Sequence, residues 1–326
     1  MGFKANYKLE IPQEEEFPDA IVKMEAALAD CRTVGNLQTP DGIQLYYEYF
    51  TAENSIGSVV IVHGLSEFTK KFYELSYHLL NQGYNVFLYD QRCHGFSQRL
   101  TDQMDLIHIH SFDDLVSDLA LYIDTVVRKV DARPLMLYGH SMGGAVSALY
   151  LATTPQGIHR AVLTSPLVVP VTNNLPGWWF RLSTGFFGRI RGFEKKFFFS
   201  REYNPNYTVI PTPGYSHHRV VRSCEMRVQE PHYRSTPLSV GCVRQCLLLR
   251  KKLLKCIGNN RTPVLMLCAE NDKTVLTKPQ AELAAAFPHC EYVVMKDADH
   301  AMMTGNHAIV TEHITRTLAH LQSPAL

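Results

Sequence analysis

Ser141 stands in Gly139-His140-Ser141-Met142-Gly143, followed by a second glycine, Gly144. A serine with glycines two residues to either side fits a sharp strand-to-helix turn. The glycines remove Cβ atoms that would collide with the neighbouring strand and helix, and the hydroxyl is held at the positive end of a helix. The chemistry this permits is attack on an acyl carbonyl. A serine hydroxyl is a weak nucleophile at neutral pH and needs a base within hydrogen-bond reach, oriented in turn by an acid. With such a turn, the acid follows the nucleophile in the chain and the histidine comes last. Asp272, in Ala269-Glu270-Asn271-Asp272, and His300, in Asp297-Ala298-Asp299-His300-Ala301, satisfy that order. Their rivals are Glu270 and Asp299 as acid, and His289 and His307 as base. Glu270 lies closer to its strand's end, Asp299 adjoins the base too closely to orient its ring, and His289 precedes its strand.

The oxyanion formed in acyl transfer needs two backbone N–H donors, one after the nucleophile and one from the loop after the third strand. Met142 and Leu65 occupy those positions, the latter in His63-Gly64-Leu65-Ser66-Glu67. His63, at the end of a buried strand, reads as structural, and His140 as a packing residue. In Asp90-Gln91-Arg92-Cys93-His94-Gly95-Phe96-Ser97, Asp90 and Arg92 are expected to form an ion pair that holds the loop. His94 has no assigned part, and Cys93 lacks a neighbouring base that would make its thiol a nucleophile.

The elements that must position these residues alternate. Ile43–Phe50 is aromatic-rich, follows the turn Thr39-Pro40-Asp41-Gly42 and predicts an antiparallel edge hairpin strand, and Ser58–Val62 is a continuous β-branched run of the kind covered on both faces. Helical spacing follows over Thr69–Asn81, closing at Gly83, then a strand over Asn85–Tyr89 and a helix over Phe112–Val130, with Ser111 and Asp114 resembling a capping box. Leu135–Tyr138 and Ala161–Thr164 read as strands flanking a helix over Met142–Ala152. Strands at Val264–Cys268 and Tyr292–Met295 precede helices at Lys278–Phe287 and Ala308–Leu321. This alternation predicts an α/β fold with a mostly parallel sheet and helices on both faces, whose ligands bind at the carboxyl ends of the strands. The uncharged stretch from Pro134 to Pro155 contains His140, hydroxyl residues and paired glycines, and reads as a buried strand and helix rather than a membrane span.

Between roughly residues 167 and 257 the alternation breaks. That insert carries fifteen Lys or Arg against four acids, Glu194, Glu202, Glu225 and Glu230, although the whole chain has a formal charge of only +1. It also holds both tryptophans, Trp178 and Trp179, and reads as a basic, aromatic lid set into a catalytic domain formed by 1–166 and 258–326. An acidic, partly helical lead-in covers residues 12–30. Apolar residues make up 46% and charged residues 19%, as in a soluble globular enzyme, and the near-neutral total argues against nucleic acid as a partner. The eight cysteines have neither CxxC nor zinc-finger spacing and are expected to be reduced thiols. The amino terminus lacks a signal-peptide pattern, and Asn6 spoils a myristoylation motif. The expected location is cytoplasmic, with peripheral contact to an anionic membrane as an added expectation.

Taken together, HG-x-x-E at 63–67, D-x-R-x-HG-x-S at 90–97 and GHSMGG at 139–144 resemble the monoacylglycerol lipase and bacterial lysophospholipase group of serine hydrolases. The segment from Ser216-His217-His218-Arg219 to Pro237 is similar to the lysophospholipase branch. The resemblance implies an α/β-hydrolase fold with an inserted helical lid, the triad Ser141, Asp272 and His300, and oxyanion donors at Leu65 and Met142. Cys93 departs from the glycine or other small residue common among relatives. A lysophospholipid acyl ester is the expected substrate, ahead of a monoacylglycerol or another carboxyl ester. Trp178 and Trp179 are the expected contacts to lipid. No metal or organic cofactor is called for. A peptidase or amidase of the same fold would need a charged pocket for a free amine, which the acid-poor insert disfavours, and a silent lipid-binding protein would be expected to have lost a triad member.

Overall fold

The computed structural model describes residues 2–153, 157–172, 192–198 and 212–323, so Trp178 and Trp179 lie outside the described residues. Among the described residues, eight strands form one sheet in the order β1-β2-β4-β3-β5-β6-β7-β8. β3 (Gly57–Val62), β4 (Tyr84–Tyr89), β5 (Leu135–His140), β6 (Arg160–Thr164) and β7 (Val264–Ala269) are buried along their whole length. They pair in parallel, and β8 (Cys290–Met295) closes that side as a half-exposed edge. Side chains alternate between the two faces of a strand, so a strand covered on both sides must be apolar throughout. Val60 and Val62 accordingly point into one apolar layer, and Val59 and Ile61 into the other.

The first layer is closed by α3 (Phe112–Tyr122), α4 (Met142–Thr153), α6 (Val240–Cys256) and α7 (Thr277–Ala286). The second is closed by α2 (Tyr73–Asn81) and α8 (His307–Gln322). The acidic lead-in forms α1 (Phe17–Ala29), which buries Phe17, Ile21, Met24 and Leu28 at helical spacing and packs on α2. No described helix is long and apolar enough to cross a membrane, and the uncharged stretch after Pro134 is β5 followed by α4.

Three local expectations need correction. β2 (Gln44–Phe50), expected at the sheet edge, is covered by β1 (Arg32–Gln38), which pairs antiparallel with it from Arg32↔Phe50 to Gln38↔Gln44. β1 is mostly exposed and has no apolar run, so backbone pairing holds it rather than side-chain burial. The single helix expected over Phe112–Val130 passes through a π turn at Ile123–Val127, where the Thr125 hydroxyl donates to the Leu121 carbonyl. Its cap is also simpler than a capping box, for Ser111 Oγ accepts from Asp113 N.

Of the expected insert, the longer described elements are α5 (His217–Gln229) and α6. α6 buries Cys242, Cys246, Leu249 and Leu253 in the layer that covers the sheet and packs on α4 and α7. By packing, therefore, α6 belongs with the sheet's helices, although the sequence pattern extends the insert to residue 257.

Candidate active site

β5 delivers the chain into the turn at Ser141, and α4 leaves it at Met142. Ser141 takes φ +52°, a left-handed conformation that side chains normally avoid. Its N–H donates to Thr164 O at 2.9 Å, and its carbonyl accepts from Leu167 N at 2.8 Å, which ties the turn to the end of β6. The glycines are required by space: a Cβ on Gly143 would lie 2.0 Å from Val62 O, and one on Gly139 would lie 2.6 Å from Ser147 Oγ.

Three separate loops then converge. His300 Nε2 is 2.9 Å from Ser141 Oγ, and His300 Nδ1 is 2.8 Å from Asp272 Oδ2. The other oxygen, Asp272 Oδ1, accepts the backbone N–H groups of Thr274 and Val275, each at 2.8 Å. Burial works against a charge on Asp272, but His300 and those two N–H groups hold its carboxyl below the usual carboxylate range. With the Asp272 carboxylate facing Nδ1, His300 carries its proton there and presents a lone pair to the serine.

The rival residues are occupied elsewhere. Glu270 Oε2 accepts from Asp297 N at 2.9 Å and braces the loop ahead of His300, while the Asp299 carboxylate accepts from the Thr212 hydroxyl. His307 bonds to Pro12 O and Gln13, and His289 is an exposed residue before β8.

The loop after β3 lies against Ser141, for a Cβ on Gly64 would come 3.0 Å from Ser141 Cβ. Glu67 Oε2 accepts from Gly64 N at 2.6 Å and so folds the loop that carries Leu65. Met142 is the first residue of α4, where a helix leaves its N–H groups without partners of its own. His63 accepts from Gln91 N through Nε2 at 2.9 Å and donates from Nδ1 to Gly64 O at 2.8 Å, and burial lowers its pKa to about 4. It is a neutral loop tie. His140 bonds through Nδ1 to Thr164 Oγ1 at 3.0 Å, and its ring centroid lies 5.1 Å from that of His300. Burial brings His140 also to about 4, so it packs against the base as a neutral ring.

Glu67 was visible in the HG-x-x-E segment but had no role from sequence. Burial opposes its charge, yet the Lys71 ammonium and the Gly64 N–H beside it hold the carboxyl far below the usual range. It links the Leu65 loop to Lys71, with which it forms a close ion pair.

The expected pair between Asp90 and Arg92 does not form. Asp90 turns under its own loop and accepts from Thr69 N at 2.8 Å and Phe96 N at 2.9 Å. Gly95 is needed above it, since a Cβ there would lie 1.9 Å from the Asp90 carboxylate. Arg92 reaches the other way, to Asp118 at 2.6 and 2.7 Å and to Asp41 at 3.0 Å. Residues two apart in this bend leave on diverging paths, which the one-dimensional spacing did not reveal. Cys93 is buried and burial raises its thiol pKa, so it lacks thiolate character.

The described part of the insert is fastened to the site. Asn306 N donates to Gly214 O at 2.9 Å, beside the His300 loop. On α5, Arg219 makes a buried two-point bond to Glu74 of α2, at 2.7 and 3.0 Å, with its guanidinium 4.3 Å from the centre of the Phe17 ring. Arg222 pairs with Glu25 of α1. Part of the positive charge that looked free in the sequence is therefore answered by the acidic lead-in and α2. Among the described residues, no group of three or more His, Cys, Asp or Glu side chains is arranged to hold a metal.

Residues 53–306 match the family model described as serine aminopeptidase, S33. A probable lysophospholipase L2 of Haemophilus influenzae is 30% identical over 259 residues, covering 75% of this chain and 77% of the relative. A monoglyceride lipase of Mus musculus is 31% identical over 135 residues, 41% of this chain and 43% of the relative. Among solved structures, a soluble variant of monoglyceride lipase from Saccharomyces cerevisiae, in complex with a substrate analog, has a TM-score of 0.69 at 18% identity, over 90% of this chain and 95% of that one. The last likeness establishes the fold, an α/β-hydrolase.

Proposed function

The chain belongs to the serine aminopeptidase S33 family of α/β-hydrolases, and from that premise we propose that it hydrolyses the acyl ester of a lysophospholipid, with Ser141 as nucleophile. The observation that carries the mechanism is the continuous relay from Ser141 Oγ through His300 to Asp272. His300 Nε2 takes the serine proton as Oγ attacks the acyl carbon. Asp272 fixes the tautomer and stabilises the imidazolium that forms. The oxyanion falls to the Leu65 and Met142 N–H groups, whose hold strengthens as charge develops. His300 then protonates the departing alcohol, and water activated by the same ring releases the fatty acid.

The substrate class rests on the lysophospholipase L2 relative, which is similar along three quarters of both chains, against less than half for the monoglyceride lipase. Expected contact with an anionic membrane belongs to the same reading, because the substrate's source is a bilayer.

The family description also names an aminopeptidase, which would need a carboxylate free to bind a substrate ammonium. Glu67, Glu270, Asp272 and Asp299 all surround the site, and each is already engaged with Lys71, Asp297 N, His300 or Thr212. A panel of lysophosphatidylcholine, lysophosphatidylglycerol, monoacylglycerol, a short p-nitrophenyl ester and an aminoacyl anilide tests the reading. The lysophospholipids should give the highest kcat/KM and the anilide no turnover above that of Ser141→Ala. Preference for the monoacylglycerol would move the assignment to that substrate, and preference for the anilide would overturn it.

A further inference from the structure

We infer that the outward face of α6 seats the enzyme on an anionic bilayer, an inference that rests on the lipid-ester reading above. Residues 240–256 include five Lys or Arg and no Asp or Glu. Cys242, Cys246, Leu249 and Leu253 form the buried stripe. Arg244, Leu248, Lys251 and Lys255 repeat the same spacing two residues later, about 200° around the helix, and so line the opposite face. Leu248 is 45% exposed and Leu254, beside that stripe, 36% exposed.

The charges on this face are not all answered by the protein. Arg250 pairs with Glu282 and Lys252 with Asp113. Among the described residues, no carboxylate lies within ion-pair distance of Arg244, Lys251 or Lys255. The segment 192–198 extends the patch, for Val240 N donates to Lys196 O at 3.0 Å and Gly241 N to Glu194 O at 2.8 Å. These bonds bring the exposed Lys195 and Lys196 to the start of α6. On α5, by contrast, Arg219 and Arg222 are closed by Glu74 and Glu25.

A merely solvated face has no need to present leucines among its cations. Leucines interleaved with unanswered cations, on a helix without acids, match what an interfacial helix needs: apolar side chains for the shallow acyl region and cations for the phosphates. A nucleic acid would engage the lysines and leave the leucines in water. The occupant is therefore a lipid surface carrying anionic phosphate.

The test is co-sedimentation of the full chain with vesicles of phosphatidylcholine alone, and of phosphatidylcholine with about one-third phosphatidylglycerol, at low and high salt. The variants are Lys251→Gln/Lys255→Gln and Leu248→Ser/Leu254→Ser, with Arg316→Gln on α8 as an off-face control. Wild type should favour the anionic vesicles. Losing two charges should lower that partition about twenty-five-fold, about fivefold for each. The leucine variant should bind more weakly at both salt levels. Both α6 variants should keep wild-type rates on a short p-nitrophenyl ester, which reports an intact fold and site, and Arg316→Gln should behave as wild type. Indifference of wild type to vesicle charge would overturn the inference. So would wild-type binding by both α6 variants, or a leucine variant unaltered on vesicles while soluble DNA competes the protein away. Lysophosphatidylcholine turnover in detergent micelles is scored separately, so failure of the substrate reading is distinguishable from failure of this surface.

Discussion

Asp272→Asn should cost about 10⁴ in kcat, and the geometry explains why so small a change does so much. Asp272 Oδ1 is surrounded by two N–H donors, from Thr274 and Val275. An asparagine in this place must put its carbonyl oxygen there, because its amide NH₂ would confront both donors. The NH₂ then faces His300 Nδ1, which has to become an acceptor, so the ring proton moves to Nε2. That nitrogen is the one 2.9 Å from Ser141 Oγ, and once protonated it cannot take the serine's proton. Locking the wrong tautomer in a Ser-His-Asp site costs about 10⁴, about 5.5 kcal/mol of transition-state stabilisation. Glu270→Gln is the matched control: its oxygen can still accept from Asp297 N, so activity should fall less than about tenfold. The assay is kcat and KM on a short p-nitrophenyl ester, with circular dichroism to verify folding. A folded Asp272→Asn within tenfold of wild type would refute the tautomer argument, and equal losses in the two variants would refute the choice of acid.

Glu67→Gln should lower kcat about ten- to a hundredfold with little change in KM, if Leu65 is the oxyanion donor we propose, since the change loosens the loop that carries it; a pure KM effect would contradict that placing. Arg219→Met should destabilise the fold by about 3–5 kcal/mol in urea unfolding, because it leaves Glu74 buried without its partner, and the added Glu74→Gln change should recover part of the loss. No recovery would mean that the pair is not the source of the loss. Four buried histidines, His63, His78, His140 and His313, are brought by burial to about 4, 4, 4 and 3. Their folded values lie below the unfolded value of about 6.5, so the unfolded chain binds more protons between about pH 4 and 6.5. Their stability contribution is present above that window and lost as pH falls through it, approaching 1.4 kcal/mol per pH unit for each ring near pH 5. Urea midpoints at pH 7, 6 and 5 should fall steeply, and a flat series would show that these rings take up protons in the folded protein as readily as in the unfolded chain.

The sequence made the parallel strands and the site's principal residues readable for a common physical reason. A strand buried on both faces must be apolar throughout, and Ser141 and Asp272 each stand just after such a strand, while His300 follows the half-exposed edge strand β8. Ser58–Val62 and Leu135–Tyr138 were plain on those grounds, and so was the turn at Ser141, whose glycines answer to steric contacts of 2.0 and 2.6 Å. What was hidden depended on contacts across the fold. β1 has no apolar run and exists through pairing with β2. Arg92 finds Asp118 on α3 instead of its near neighbour Asp90, whose carboxylate is taken up by the Thr69 and Phe96 N–H groups. The +11 charge of the insert could be summed from sequence, but not which cations meet Glu74 and Glu25 and which stay exposed on α6. Pattern locates elements and turns; pairing between distant side chains needs the fold.

The central claim is that Ser141 is the nucleophile, and its most direct measurement is covalent capture. The protein is incubated with a fluorophosphonate probe, digested, and the adduct mapped by mass spectrometry in wild type, Ser141→Ala and Asp272→Asn. One adduct per chain is expected, on the peptide containing Gly139-His140-Ser141-Met142-Gly143, with activity lost in step with labelling. Labelling should be absent in Ser141→Ala and greatly slowed in Asp272→Asn. An adduct on any other residue, or a Ser141→Ala protein that keeps more than about a thousandth of the wild-type rate, would contradict it.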